Sequence, residues 1–81
     1  MHLEIITPDV KAFQGEVISS KFPGAKGEFE VLKDHASLIS ALVKGDIKIT
    51  TPEKKESIKI SGGVVEILNN NITVLAESII K

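Results

Sequence analysis

The sequence predicts an all-β fold, a β-sandwich or barrel of about seven to ten short strands. Polar and apolar residues alternate in short runs that are rich in β-branched side chains, which is typical of half-buried strands. Turn-forming residues separate these runs at intervals of about eight to twelve residues. A chain of 81 residues holds one small hydrophobic core. We therefore predict a single domain spanning residues 1–81.

The alternating runs are distributed along the whole chain. They occupy residues 2–5, 46–50 and 57–61, and they continue at 65–67 and 72–76. The last two runs flank three asparagines at 69–71. Asparagine tolerates left-handed backbone, so this triplet predicts a hairpin turn.

Other turn signals are formed by proline, glycine and charged residues. They lie at residues 7–9, 22–24, 44–46 and 51–55. The pair Gly62-Gly63 is interpreted as a bulge or a close backbone approach inside the sheet.

One segment is compatible with two structures. Residues 36–43 are largely apolar, with Asp34 before them and Gly45 after them. Asp34 is a suitable N-cap and Gly45 a suitable C′ residue, so a helix and a strand remain equally open here.

Composition excludes several function classes. The net charge is −1, there is no cysteine, and all ten basic residues other than histidine are lysine. Without arginine, and with three phenylalanines as the only aromatic residues, nucleic-acid binding is not expected. No apolar run reaches the length of a transmembrane helix, and no export signal is recognisable. We therefore expect the chain to work in the cytosol of a prokaryote or of an organelle that makes it.

No catalytic, metal or cofactor site is predicted. His2 and His35 lie far apart in sequence and lack further ligands, so His35 is interpreted as a surface or turn histidine. Asp34, His35 and Ser37 are too close in sequence to form a catalytic triad. No glycine-rich nucleotide motif is present.

A carrier domain is the alternative function. Lipoyl and biotinyl carrier domains are small β-sandwiches that display a modified lysine on a hairpin tip. Lys11 follows a turn signal and would be that lysine. It lies near the start of the chain and lacks the flanking residues typical of those domains.

The sequence resembles the epsilon subunit of rotary F-type ATP synthases. The similar blocks follow in order over nearly the whole chain: MHLEIITP (1–8), FQGEV (13–17), FPG (22–24), GEF (27–29), VL (31–32), HA (35–36), LI (38–39), ISGGVVEI (60–67) and ITVLA (72–76). Each block is weakly specific alone, but their combination is specific.

The resemblance implies a flattened β-sandwich of about ten strands, with residues 36–43 as a strand. It implies a non-catalytic place in the central stalk, between the gamma subunit and the membrane-embedded c-ring, during proton- or sodium-driven ATP synthesis. The expected location is peripheral, at the cytoplasmic face of the bacterial inner membrane. In most members of the family a helical hairpin follows this domain. The sequence here ends before such a hairpin, so we expect a short form.

The resemblance also assigns two contact surfaces. The residues expected against the c-ring are Lys26, Gly27, Glu28, Phe29 and Glu30, in an exposed loop. The residues expected against gamma are His35, Ala36, Ser37, Leu38 and Ser40. Departures from the family pattern at Glu30, Lys33, Asp34 and Ser37 leave the shape of this loop open.

Overall fold

The computed structural model describes residues 1–80 and confirms the all-β fold. The described chain contains nine strands, one fewer than the family resemblance implied. They are β1 (His2–Ile6), β2 (Lys11–Glu16), β3 (Ser19–Gly24), β4 (Gly27–Val31), β5 (Leu38–Leu42), β6 (Gly45–Thr50), β7 (Lys55–Ile60), β8 (Gly63–Leu68) and β9 (Asn71–Ala76). The domain is flattened, with principal extents of 28 × 27 × 19 Å.

The strands form one continuous sheet that curls around the core. Their order is β2-β1-β9-β8-β5-β3-β6-β7, and β4 pairs with β3 outside this path. The β1–β9 pair is parallel, whereas the other strand pairs are antiparallel. The two halves of the sheet meet where β5 pairs with β3 through Leu42 and Gly24. This corner separates an outer face on β1, β9, β8 and β5 from another on β4, β3, β6 and β7.

The core lies between the two halves of the sheet. Alternate residues of each inner strand point into it, because successive side chains of a strand face opposite sides. The largest fully buried apolar side chains are Phe22, Leu3, Ile5, Ile47, Ile49, Ile60, Ile67, Ile72, Val31, Val65 and Val74.

The asparagine turn is confirmed. Leu68 pairs with Asn71, and Asn69 and Asn70 between them have φ angles of 50° and 62°. Two positive φ angles in a two-residue hairpin loop are the signature of a type I′ turn, whose twist matches that of the strands. This turn fixes the register in which Val65 and Ile67 lie beside Val74 and Ile72.

Two predictions about local structure need correction. The helix alternative for residues 36–43 is wrong, because Leu38–Leu42 is β5 and pairs with β8 along its length. The break predicted at residues 22–24 is also wrong, because these residues end β3 and the turn comes after them. Pro23 has no N–H to donate, but its carbonyl accepts a hydrogen bond from Val43 N at 2.9 Å.

The close backbone approach predicted at Gly62-Gly63 is confirmed. Gly63 has a φ angle of 156°, and a Cβ atom there would collide with the carbonyl oxygen of Leu75 and lie 2.9 Å from Ala76 Cα. Gly63 pairs with Leu42 on one side and Ala76 on the other. Only glycine fits between β5 and β9 at this point.

Candidate interaction surfaces

The outer face of β5, β8 and β9 carries a group of apolar side chains beside Glu66 and Thr73. Its centre consists of Ile39, Val64 and Leu75, which are 69%, 41% and 58% exposed, and these three residues are called the apolar face below. Val64 pairs with Leu75 in β9 and with Ala41 in β5. Ile6 pairs with Leu75 and extends the face onto β1. Large apolar side chains grouped on an ordered sheet are typical of a protein-binding surface.

The sequence carries a signal for this face that strand alternation alone does not reveal. Apolar residues are adjacent at Leu38-Ile39, Val64-Val65 and Val74-Leu75. A strand with one face in water alternates, whereas a strand covered on both faces reads as a continuous apolar run. Each pair places one side chain toward the core and one on the outer surface. The contact residues predicted from the sequence do not include Ile39, Val64 or Leu75. The adjacent apolar residue in each pair is the signal that could have identified them.

The residues predicted to contact gamma do not share one face. His35, Ala36 and Ser37 lie in the β4–β5 loop, while Leu38 and Ser40 belong to β5. Leu38 is half-buried and packs against the core, on the side of the strand opposite to Ile39.

The β4–β5 loop is attached to the β8–β9 turn. The backbone N–H of Asp34 donates to Asn70 Oδ1 at 2.7 Å, and Asn70 Nδ2 donates to Asp34 Oδ1 at 3.0 Å. Asp34 has a φ angle of 65°, a backbone conformation that aspartate tolerates better than most residues. The departures from the family pattern left the shape of this loop open. A reciprocal pair of hydrogen bonds between Asp34 and Asn70 sets that shape.

The residues predicted to contact the c-ring form a hairpin, so the expectation of an exposed loop is wrong. Gly27–Val31 is β4, and Lys26 lies in the turn before it. Alternation along β4 places Glu28 and Glu30 outward and turns Phe29 toward the core. The rings of Phe29 and Phe22 are 5.6 Å apart between centroids, which anchors the hairpin through a tilted aromatic contact.

Glu28 already has a partner within the chain. Its Oε2 lies 3.4 Å from Lys48 Nζ, and both side chains are about half exposed, at 50% and 56%. An exposed pair of this kind contributes only about 0–1 kcal/mol, so it is easily exchanged for another partner.

Glu16, at the end of β2, lies beside His2 and the amino terminus at the start of β1. The Glu16 carboxylate accepts a hydrogen bond from His2 Nδ1 at 3.2 Å, and its other oxygen lies 3.5 Å from the amino-terminal nitrogen. The hydrogen bond with His2, helped by the nearby amino terminus, lowers the pKa of Glu16.

The described residues offer neither a metal-binding cluster nor a membrane-spanning helix. Among residues 1–80, no three or more His, Asp or Glu side chains group so that they would hold a metal ion. Within the same residues there is no helix of the length and apolarity needed to cross a membrane.

Sequence comparison identifies the family. The family model of the ATP synthase delta/epsilon chain, β-sandwich domain, matches residues 1–81. The chain belongs to this family. Relatives named ATP synthase epsilon chain include one from a Nitratiruptor species, 51% identical over 95% of this chain and 60% of its own length. Another is from Helicobacter pylori, 36% identical over 95% of this chain and 63% of its own length.

The delta/epsilon domain therefore spans about three fifths of the length of these curated relatives. A solved structure with the same fold belongs to the Euglena gracilis mitochondrial ATP synthase (OSCP/F1/c-ring). It matches with a TM-score of 0.89 at 21% identity, covering 96% of this chain and 51% of that one.

The carrier interpretation of Lys11 is wrong for this delta/epsilon domain. Lys11 begins β2 rather than standing on a hairpin tip. Its Nζ lies 2.8 Å from Glu4 Oε2 and donates to Gln14 Oε1 at 3.0 Å. Lys11 therefore lies on the sheet surface and not on a hairpin tip, and the chain belongs to a different family from the carrier domains.

Proposed function

We propose that this chain is a non-catalytic subunit of the ATP synthase central stalk that links the gamma subunit to the c-ring during proton- or sodium-driven ATP synthesis. Family membership over the full chain supports this role, as do the names of the relatives. The observation that carries the proposal is the apolar face, since a rotor subunit must bind its neighbours through its surface. As part of such a complex, the domain would be peripheral to the bacterial inner membrane, on its cytoplasmic face.

The apolar face is proposed as the main contact with gamma. Ile39, Val64 and Leu75 lie on adjacent paired strands, so they present a preformed surface that loses little conformational freedom on binding. His35, Ala36 and Ser37 lie in the loop that leads into β5 and would form the rim of this contact. Leu38 and Ser40 would act indirectly, by holding β5 in place.

The β3–β4 hairpin is proposed as the contact with the c-ring. Glu28 and Glu30 point outward from the same side of β4. Carboxylates in this position suit charge-assisted hydrogen bonds with basic groups on a ring of identical subunits. Since each exposed pair contributes only about 0–1 kcal/mol, the contact would depend on several such pairs acting together.

The gamma contact is tested by substituting Ile39 with lysine. Placing a charge on the apolar face should weaken binding to gamma by at least about tenfold, because a buried anchor typically contributes about 2 kcal/mol or more. Val10→Lys is the matched control, because Val10 is 57% exposed but lies in the turn between β1 and β2. Affinity is measured by calorimetric titration with purified gamma. Equal losses from both substitutions would refute the apolar face as the binding surface.

The rim contribution is tested separately by His35→Ala. A peripheral contact should cost about 1–2 kcal/mol of gamma affinity. If His35→Ala leaves the affinity unchanged while His2→Ala abolishes it, the opposite end of the domain binds gamma.

The c-ring contact is tested by Glu28→Lys, with Glu53→Lys in the β6–β7 turn as the control. Assembly with the isolated c-ring should weaken for Glu28→Lys and stay unchanged for Glu53→Lys. Thermal unfolding of both variants separates assembly from the loss of the Lys48 ion pair. Equal effects on assembly would show that overall charge, rather than the hairpin, governs the contact.

A further inference from the structure

The second outer face of the domain carries a group of lysines around one cleft. The cleft has a volume of about 370 Å³ and lies across β3, β6 and β7. Its lining residues are Ser19, Lys21, Glu30, Lys48, Thr50 and Lys55, and it is called the lysine cleft below. It is separated from the apolar face by the Leu42–Gly24 corner of the sheet.

Strand register brings the lysines of the cleft together. Lys21 of β3 stands directly opposite Lys48 of β6, and Lys55 of β7 stands opposite Thr50, which follows Lys48 on the same side of β6. The position of each lysine is therefore set by a backbone ladder rather than by a flexible loop. Like charges placed directly opposite each other across two strands destabilise a sheet.

The carboxylates nearby do not balance this charge. Glu28 pairs with Lys48 from the adjoining hairpin, and Glu30 lines the cleft opposite Lys21. Within residues 1–80, neither Lys21 nor Lys55 forms an ion pair. With Lys48 paired to Glu28 and Glu30 opposite Lys21, the three lysines exceed the two carboxylates by one charge, so the cleft is net positive.

We infer that the lysine cleft binds a small phosphate-bearing anion. Ammonium groups bind phosphate as compact point charges, and hydroxyl groups add directional hydrogen bonds. Ser19 and Thr50, which are paired across β3 and β6, supply two hydroxyls in the same cleft. A bound anion would relieve the repulsion between Lys21 and Lys48. The anion is either a soluble phosphate compound or the headgroup of an anionic phospholipid. The inference does not rest on the proposed contacts with gamma and the c-ring, although Glu30 belongs both to the cleft and to the proposed c-ring contact.

Inorganic pyrophosphate is the soluble probe, titrated into the ¹⁵N-labelled chain and followed by NMR. We expect saturable shifts of the backbone amides at Ser19, Lys21, Lys48, Thr50 and Lys55. Lys21→Gln should weaken binding by about tenfold, as expected for the loss of one charged hydrogen-bond partner. Lys59→Gln is the control, because Lys59 lies on β7 opposite Asp46 and outside the cleft.

Glu30→Gln should change the pyrophosphate affinity in the direction opposite to Lys21→Gln. Removing the one carboxylate that lines the cleft should tighten pyrophosphate binding severalfold. Absence of saturable shifts, or equal losses from Lys21→Gln and Lys59→Gln, would overturn the inference.

Vesicles identify the source of the phosphate. Co-sedimentation with phosphatidylglycerol vesicles, but not with phosphatidylcholine vesicles, that is lost in Lys21→Gln and displaced by pyrophosphate would identify a lipid headgroup. Pyrophosphate binding without vesicle binding would identify a soluble phosphate compound.

Discussion

Substitution of Gly63 with alanine tests the packing of β5, β8 and β9 most directly. A Cβ atom at this position would overlap the Leu75 carbonyl oxygen and approach Ala76 Cα to 2.9 Å. These atoms belong to backbone that is fixed by pairing, so no side-chain rotation relieves the collision. The φ angle of 156° adds strain for any residue with a side chain.

The expected cost is the sum of two contributions. A residue held in a disfavoured backbone region costs about 1–3 kcal/mol. Separating the ends of β8 and β9 also weakens neighbouring hydrogen bonds, such as the 2.9 Å bond from Glu77 N to Gly62 O, each contributing about 0.5–1.5 kcal/mol. The free energy of unfolding should therefore fall by about 3 kcal/mol. For a domain of this size, that lowers the melting temperature by about 12–24 °C.

The measurement is urea unfolding followed by far-ultraviolet circular dichroism, because the sequence has no tryptophan or tyrosine for fluorescence. Gly15→Ala is the matched control, since a Cβ there would find its nearest atom, Phe13 Cζ, at 3.7 Å. We expect this variant to stay within about 0.5 kcal/mol of the original chain. A Gly63→Ala variant of equal stability would refute the close approach of β8 and β9.

Three further predictions concern stability. Ser20→Ala should raise the free energy of unfolding by about 1 kcal/mol in the same urea assay, because the Ser20 hydroxyl is buried without a hydrogen-bond partner among the described residues. A loss of stability would mean that this hydroxyl is hydrogen-bonded. Asp34→Ala and Asn70→Ala should show a coupling energy of about 0.5–1.5 kcal/mol in a double-mutant cycle, and strictly additive effects would contradict the reciprocal hydrogen bonds. Since the pKa of Glu16 is lowered in the folded chain, its stabilising contribution is complete above the ordinary value of 4.5 and disappears as the pH falls through the lowered pKa. The unfolding free energies of the original chain and Glu16→Gln should therefore converge in acid, and a constant difference across the pH series would exclude this linkage.

Local sequence patterns predict most of the strands but not where every strand ends. Alternation works for β6 and β7, because each has one face in the core and the other in water. The Asn69-Asn70 turn is equally local, since two positive φ angles favour these residues. Pro23 was misread because a proline is compatible with a strand wherever its missing N–H is not needed, and pairing partners are not visible in the sequence.

The interaction surfaces depend on pairing between distant segments. The Asp34–Asn70 link joins residues that are 36 positions apart, and no short-range pattern predicts it. The lysine cleft likewise requires that Lys21 and Lys48 become cross-strand neighbours. The family resemblance suggests approximate positions for the proposed contact residues, but the inward and outward sides of β5 follow only from its register with β8.

The parallel pairing of β1 with β9 has a mechanical consequence. Five consecutive residue pairs, from His2–Asn71 to Ile6–Leu75, join these strands in the same direction. Tension applied between the start of β1 and the end of β9 would pull the two strands past each other along their length. The evenly spaced hydrogen bonds of a parallel pair then share the load together, instead of breaking one at a time as in an unzipping hairpin. A domain connected in this way resists shear between the start of β1 and the end of β9.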